Sequence, residues 1–143
     1  DGSLHNRGWS NIVDITLNVR AAMPRVVGID HVQLAMPPGE ERKARAFYTG
    51  LLGLAEVPKP LALAARGGAW FEDGSVRVHL GVEPGFRPAK KAYPGLVVDG
   101  LDELVAKLRA ANVDVIADDA IPHLRRYHIE DPSGNRLELL PSP

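Results

Sequence analysis

The order of predicted secondary-structure elements occurs twice along this chain. One strand, one helix and three further strands are predicted over residues 25–84, and the same order is predicted over residues 92–141. The segment between them is rich in proline, glycine and lysine, which is typical of a linker. The sequence therefore predicts two βαβββ units, called here module one (25–84) and module two (92–141).

Each module contains one helical pattern and four short strand patterns. In module one, apolar residues recur at helical spacing from Ala44 to Leu52, and Gly53 ends the helix. In module two, Asp99 is predicted to cap a helix with Leu101, Leu104, Val105 and Leu108 on its apolar face. The predicted strands are Val26–Met36, Leu54–Val57, Ala69–Glu72, Val76–Val82, Tyr93–Val98, Val113–Ala117, Arg125–Glu130 and Arg136–Leu140.

The duplication is also visible in the residues themselves. Phe71-Glu72-Asp73, a turn and Arg77-Val78-His79-Leu80 match Ile129-Glu130-Asp131, a turn and Arg136-Leu137-Glu138-Leu139. His79 and Glu138 thus occupy equivalent places in the last strand of each module. By the same spacing, Tyr93 is the counterpart of His31.

Strand alternation predicts which way these four side chains point. Valines and leucines at the alternate positions of the same predicted strands are expected to pack on the helices, since successive strand residues face opposite sides of a sheet. His31, His79, Tyr93 and Glu138 should therefore share a concave face near the axis that relates the modules.

Two imidazoles and a carboxylate at His31, His79 and Glu138 indicate a site for a divalent metal ion. Zinc, nickel, iron, manganese and cobalt all accept these ligands, so residue types alone do not select the metal. A single histidine or glutamate in a strand is more often structural or solvated. The occurrence of all three at repeat-equivalent positions of the same parity favours metal binding, in which the ion polarises a substrate oxygen.

Other residues are predicted around this site. Gln33 lies on the face predicted for His31 and, with Tyr93, is a candidate catalytic residue that contacts the substrate. Trp70, Phe71 and His128 are candidates for the pocket wall, although a surface position is an equally ordinary role for His128.

Composition narrows the classes of partner. The formal net charge is -1 and no cysteine is present, which argues against nucleic-acid binding, disulfides and thiolate chemistry. No apolar run is long enough to cross a membrane, so a cytoplasmic protein that acts on a small molecule is expected.

The beginning of the chain is expected to differ from the rest. Residues 1–24 form a predicted N-terminal extension, and residues 25–141 form a single predicted domain. Apolar and polar residues alternate over 13–20, which indicates either an extra strand or a leader that happens to alternate.

Three motifs together resemble the vicinal oxygen chelate superfamily, which includes glyoxalases, bleomycin resistance proteins and extradiol dioxygenases. They are Gly28-Ile29-Asp30-His31-Val32, Phe47-Tyr48-x-x-Leu51-Leu52-Gly53-Leu54 and Asp131-Pro132-Ser133-Gly134-Asn135-Arg136-Leu137-Glu138-Leu139. The resemblance implies an α+β fold in which two βαβββ modules form an eight-stranded, incompletely closed barrel-like sheet with helices outside. It also implies a homodimer and metal ligands in the first and last strand of each module, at His31, His79, Tyr93 and Glu138.

Two departures from the family pattern leave alternatives open. Tyr93 stands where metal-binding relatives usually carry histidine, and His79 stands where glyoxalase I usually carries glutamate. One hypothesis is a metal-dependent lyase, isomerase, dioxygenase or transferase that chelates a small oxygenated substrate. The alternative is a metal-free protein of the bleomycin-resistance type that sequesters a small compound, and the resemblance allows a site within one chain or across two.

Overall fold

A computed structural model describes residues 23–143, so the strand predicted at 13–20 lies outside the described residues. The elements are β1 (Val32–Met36), α1 (Glu41–Tyr48), β2 (Ala55–Val57), α2 (Leu61–Ala64), β3 (Ala69–Asp73), β4 (Val76–Val82), β5 (Gly95–Val98), α3 (Leu101–Ala110), β6 (Ile116–Ala117), β7 (Tyr127–Glu130) and β8 (Arg136–Pro141). The first six lie in module one and the last five in module two.

Each module forms its own four-stranded mixed sheet. The strand order is β1-β4-β3-β2 in module one and β5-β8-β7-β6 in module two. In both sheets the first strand runs parallel to the last, and the remaining neighbours are antiparallel. The predicted α+β fold of two βαβββ modules is confirmed, with the eight strands divided between two sheets that do not close into a barrel.

Strand register confirms the predicted equivalence of the two modules. His79 in β4 lies between Gln33 in β1 and Trp70 in β3. Glu138 in β8 lies in the same way between Gly95 in β5 and His128 in β7. Counting back two residues along β1 and β5 makes His31 the counterpart of Tyr93.

The hydrophobic core contains residues from both modules. Helix α1 packs on β3 and α3 packs on β8, so each helix covers one face of its sheet. The most deeply buried large side chains are Met36, Tyr48, Phe71, Val78, Leu80, Leu108, Leu137 and Leu139. Their alternation along β4 and β8 leaves His79 and Glu138 on the opposite faces.

The turn between β7 and β8 joins module two to module one. Asp131 accepts hydrogen bonds from the backbone N–H groups of Ser133 and Asn135, which fold the turn. The Asn135 side-chain amide donates to Asp131 and, at 2.7 Å, to the carbonyl oxygen of Ala35 in β1. Tyr48 of α1 donates its hydroxyl proton to the same carboxylate, so the turn is tied to a helix and a strand of module one.

Three sequence-based predictions are corrected by the structure. Strand β1 begins at Val32 rather than Val26, and Val26 is 91% exposed and pairs with no strand of the part of the chain that the structure describes. Asp99 does not cap α3, because Gly100 is the N-cap, with a left-handed φ of 75° that glycine adopts without strain. The short helix Leu61–Ala64 was not predicted, since its four residues are too few to show a helical period.

No helix within residues 23–143 has the length and apolar character needed to cross a membrane.

Candidate functional site

Three rings stack on the face of the module-one sheet that points away from α1. The His79 ring lies between those of His31 and Trp70, with centroid separations of 4.5 Å and 4.0 Å. The rings of Trp70 and His79 are within 3° of parallel because their strands pair directly at this position. The structure therefore brings the two predicted imidazole ligands together and places the predicted pocket residue Trp70 beside them.

Each of these imidazoles has its own carboxylate. His31 Nδ1 lies 2.9 Å from Asp30 Oδ2, and His79 Nε2 lies 2.9 Å from Glu72 Oε2. An ionised carboxylate only accepts hydrogen bonds, so the ring nitrogen must donate in each pair. In the neutral form this leaves a lone pair on Nε2 of His31 and on Nδ1 of His79.

Arg77 links the two carboxylates. Its Nη1 lies 2.7 Å from Asp30 Oδ1 and its Nε lies 3.7 Å from Glu72 Oε1. The hydrogen bond from His31, together with the charge of Arg77, lowers the pKa of the Asp30 carboxyl below its usual value. The module-one face is thus a connected set of two imidazoles, two carboxylates and one guanidinium.

The corresponding face of module two carries a different set of charges. Glu138 is 8% exposed, and its Oε1 lies 3.6 Å from Nη1 of Arg126. Arg126 Nη2 also lies 3.0 Å from Asp118 Oδ2. The buried Nε atoms of Arg126 and Arg77 have no hydrogen-bond partner among residues 23–143. The pKa of the Asp118 carboxyl is lowered by the backbone N–H of Ala120 and then by His128.

His128 and Tyr93 complete this second face. Arg136 Nε lies 3.3 Å from His128 Nδ1, and His128 Nε2 lies 2.8 Å from Asp118 Oδ2. Because Arg136 can only donate, Nδ1 accepts and Nε2 donates, which defines a neutral tautomer of His128. The Tyr93 ring meets His128 edge-on at 5.4 Å, and the Arg136 guanidinium lies 4.9 Å above the Tyr93 ring.

The chemistry of the predicted metal ligands fits a divalent ion, but a single chain does not assemble them. Within residues 23–143, no group of three or more His, Asp or Glu side chains is arranged to hold one ion. His31 and His79 are neighbours, whereas the counter-charge beside Glu138 is Arg126. Metal binding by these three residues stays a prediction.

The remaining predicted site residues fall into two groups. Gln33 lies beside His79 with its side chain against Gly81, where a Cβ atom would come within 2.8 Å of Gln33 Nε2. Phe71 was predicted to line the pocket, and this is wrong. It is fully buried on the helix side of β3 and stacks on Tyr48, because its neighbour Trp70 takes the other face.

A cleft of about 960 Å³ opens between the linker and module two. It is lined at one side by Arg87 and Lys90 of the linker and at the other by His128, Glu130 and Arg136. Of the predicted site residues, His128 alone lines it within the part of the chain that the structure describes.

Several polar residues of these two faces were not predicted from sequence. Glu72 could have been found, because it shares the strand parity of Trp70. Arg126 could also have been found, because it shares the parity of His128 in the predicted strand Arg125–Glu130. Asp118 carried no local signal, since it follows β6, which has only two residues and whose partner is decided by the tertiary fold.

The class of protein is defined by two features. The chain has two mixed sheets built from duplicated βαβββ modules, and its candidate ligands lie at equivalent strand positions. The chain matches the Glyoxalase/Bleomycin resistance protein/Dioxygenase superfamily over residues 28–139, and it belongs to this superfamily. No curated protein matched the sequence.

Solved structures agree with this assignment. A glyoxalase family protein from Bacillus anthracis is 44% identical with a TM-score of 0.80, and the match covers 85% of this chain and 99% of that one. A fosfomycin resistance protein from Listeria monocytogenes is 13% identical with a TM-score of 0.66, covering 83% and 96% of the two chains. A lactoylglutathione lyase from Agrobacterium tumefaciens is 18% identical with a TM-score of 0.61, covering 83% and 96%. The last two matches show a shared fold alone.

Proposed function

We propose that this protein is a metal-dependent, glyoxalase-like enzyme that acts on a small oxygenated substrate. The observation that carries the proposal is the pair His31 and His79, adjacent and each hydrogen-bonded to its own carboxylate. A carboxylate behind the second nitrogen is the usual support of a histidine metal ligand, because it fixes the tautomer and raises the basicity of the free nitrogen. A bound divalent ion would act there as a Lewis acid toward a substrate oxygen.

Glu138 is proposed to reach this ion from a second copy of the chain. The parallel first strands of the two sheets, β1 and β5, are both edge strands, and Val97 on β5 is 62% exposed. Unpaired edges with exposed apolar side chains favour association.

The proposed roles of the other residues follow from their positions. Asp30 and Glu72 orient the two imidazoles, and Arg77 lies within ion-pair distance of both carboxylates. Tyr93 and Gln33 are proposed to contact the substrate from opposite modules, since they share faces with Glu138 and His79 respectively.

Elemental analysis of protein purified without chelator tests the proposal. We expect about one equivalent of a transition metal per chain, and a loss of at least tenfold in metal affinity on His79→Ala. Thr49→Ala, at the exposed C-terminus of α1, is a control that should retain the metal. Less than about a tenth of an equivalent after incubation with zinc, nickel, iron(II), manganese or cobalt salts would contradict metal dependence.

The second candidate function is metal-free sequestration of a small compound, as in bleomycin-resistance-type proteins. Two observations favour it: Trp70 presents an indole ring stacked on His79, and Arg126 neutralises Glu138. An aromatic or cationic compound would stack on such a ring system.

Fluorescence distinguishes this alternative, because Trp70 is one of two tryptophans in the chain. Quenching of chelator-treated protein by an aromatic cation, abolished by Trp70→Leu and retained in Trp9→Phe, would support sequestration. Turnover that chelator removes and metal restores would instead support the enzyme.

A further inference from the structure

Arg77 and Arg136 occupy equivalent positions in the two modules but have different partners. Arg77 in β4 pairs in register with Glu72, and Arg136 in β8 pairs in register with Glu130. Arg77 is held by two carboxylates, those of Asp30 and Glu72. Within residues 23–143, no carboxylate lies within ion-pair distance of Arg136.

Arg136 is nevertheless held in place. Its Nε donates to His128, and its guanidinium lies over the Tyr93 ring, which is a favourable position for a cation. These two contacts leave both Nη groups available as a pair of parallel donors.

The surroundings of Arg136 are open to a ligand. Arg136 lines the cleft of about 960 Å³ together with Arg87 and Lys90. The acids at the cleft are Asp114, Glu130 and Asp131, and Asp131 is already bonded to Tyr48 and Asn135. The formal charges of the cleft therefore balance, and the anchoring role rests on Arg136 itself, which has no carboxylate partner among the described residues.

We propose that Arg136 is the anchor for a carboxylate on the small molecule that this protein binds. A guanidinium with two free parallel N–H donors matches the two oxygens of a carboxylate in a bidentate pair. The Tyr93 hydroxyl, which has no hydrogen-bond partner among the described residues, lies beside it as a further donor. Module one uses this strand position to hold its histidines, and module two uses it to recognise a ligand.

This inference deepens the proposed function, because it names the class of ligand. It rests on the proposed function in one respect, namely that the reaction takes place beside Glu138. Arg136 and Glu138 are two residues apart on one face of β8, which places them about 7 Å apart along the strand. A carboxylate at Arg136 would therefore bring the neighbouring oxygens of a small acid close to Glu138.

Titration of chelator-treated, full-length protein with benzoate, benzamide and phenylphosphonate, followed by NMR shifts of the backbone amides, tests the proposal. We expect saturable binding of benzoate and at least tenfold weaker binding of benzamide, its neutral analogue. Arg136→Gln should weaken benzoate binding by about 10- to 100-fold, and Arg136→Lys should restore only part of it, because the charge remains but the fork is lost. Phenylphosphonate binding tighter than benzoate would assign the anchor to phosphate-type ligands and overturn the carboxylate.

The control is Arg42→Gln, at an exposed position of α1 outside the cleft. It should leave the benzoate dissociation constant within about twofold of the wild-type value, because salt screens an exposed charge that lies away from the binding site. Equal losses in both variants, or no Arg136-dependent binding of benzoate, would overturn the proposal. Because metal is absent throughout, such a failure is distinct from a failure of metal dependence.

Discussion

The hydroxyl of Tyr48 in α1 lies 2.7 Å from Oδ2 of Asp131, in the turn that joins β7 to β8 of the other module. Both residues are buried, so the hydrogen bond is shielded from water. Burial, followed by the charge and hydrogen bond of Asp131, raises the pKa of the Tyr48 hydroxyl well above its usual value. This contact holds the two modules in one relative position and thereby sets where their polar faces lie.

Tyr48→Phe should lower the free energy of unfolding by about 1–3 kcal/mol, because a charge-assisted buried hydrogen bond is lost while the ring packing on Phe71 remains. Urea titration followed by circular dichroism measures the change. A double-mutant cycle with Asp131→Asn should show a coupling energy of at least about 0.5 kcal/mol, and strictly additive effects would mean that the bond contributes nothing specific.

The same bond predicts a loss of stability at alkaline pH. In the unfolded chain Tyr48 ionises near pH 10, whereas in the folded protein it stays protonated. The unfolded state therefore releases this proton first, and the stabilisation falls as pH rises above about 10. Wild-type protein should lose stability more steeply between about pH 9.5 and 11 than Tyr48→Phe; parallel curves would contradict the assignment.

The hydrogen bond to the Glu41 carboxylate leads us to expect a loss of stability at acid pH. The backbone N–H of Gly68 donates to Glu41 Oε1 at 3.1 Å and lowers the pKa of this carboxyl. The stabilisation is present above the unfolded pKa, near 4.5, and is lost as pH falls through the lower folded value. Thermal melts between about pH 5 and 3 should show a shallower decline for Glu41→Gln than for wild type.

Glu103→Gln on α3 is the matched control for that experiment. Glu103 also lies in the first turn of its helix, but its side chain accepts no hydrogen bond among the described residues. The stability of Glu103→Gln should fall with decreasing pH as steeply as that of the wild type. An equal effect of both substitutions would mean that the loss of one negative charge, rather than of the Glu41–Gly68 hydrogen bond, changes the pH dependence.

Mixing two variants that each lack one proposed metal ligand tests whether the metal site is shared between two copies of the chain. If His79 of one copy and Glu138 of the other bind the same ion, an equilibrated equal mixture of His79→Ala and Glu138→Ala contains one half heterodimers. Each heterodimer has one intact site of two, so about a quarter of the wild-type metal content should return. No recovery on mixing, with dimers shown by light scattering, would place the site within one chain.

Much of the arrangement was predictable because it depends on local pattern. Two-residue alternation placed His79 and Glu138 opposite the core, and the repeated motif made them equivalent, both of which strand register confirms. The errors fell where pattern is ambiguous. Val26 and Val27 resemble strand residues but have no neighbouring strand within residues 23–143. Phe71 was assigned to the wrong face of β3, although the alternation with Trp70 already implied the correct one.

By itself, the sequence determined the duplicated βαβββ order, the family motifs and the face on which each candidate ligand lies, because these follow from periodicity along a single strand or helix. Only the tertiary structure decided the partners. Glu72 pairs with His79, Arg126 pairs with Glu138, and Arg136 has no carboxylate partner among the described residues. Those pairings join residues from different strands, and their distances depend on sheet twist and side-chain rotamers that no local pattern encodes.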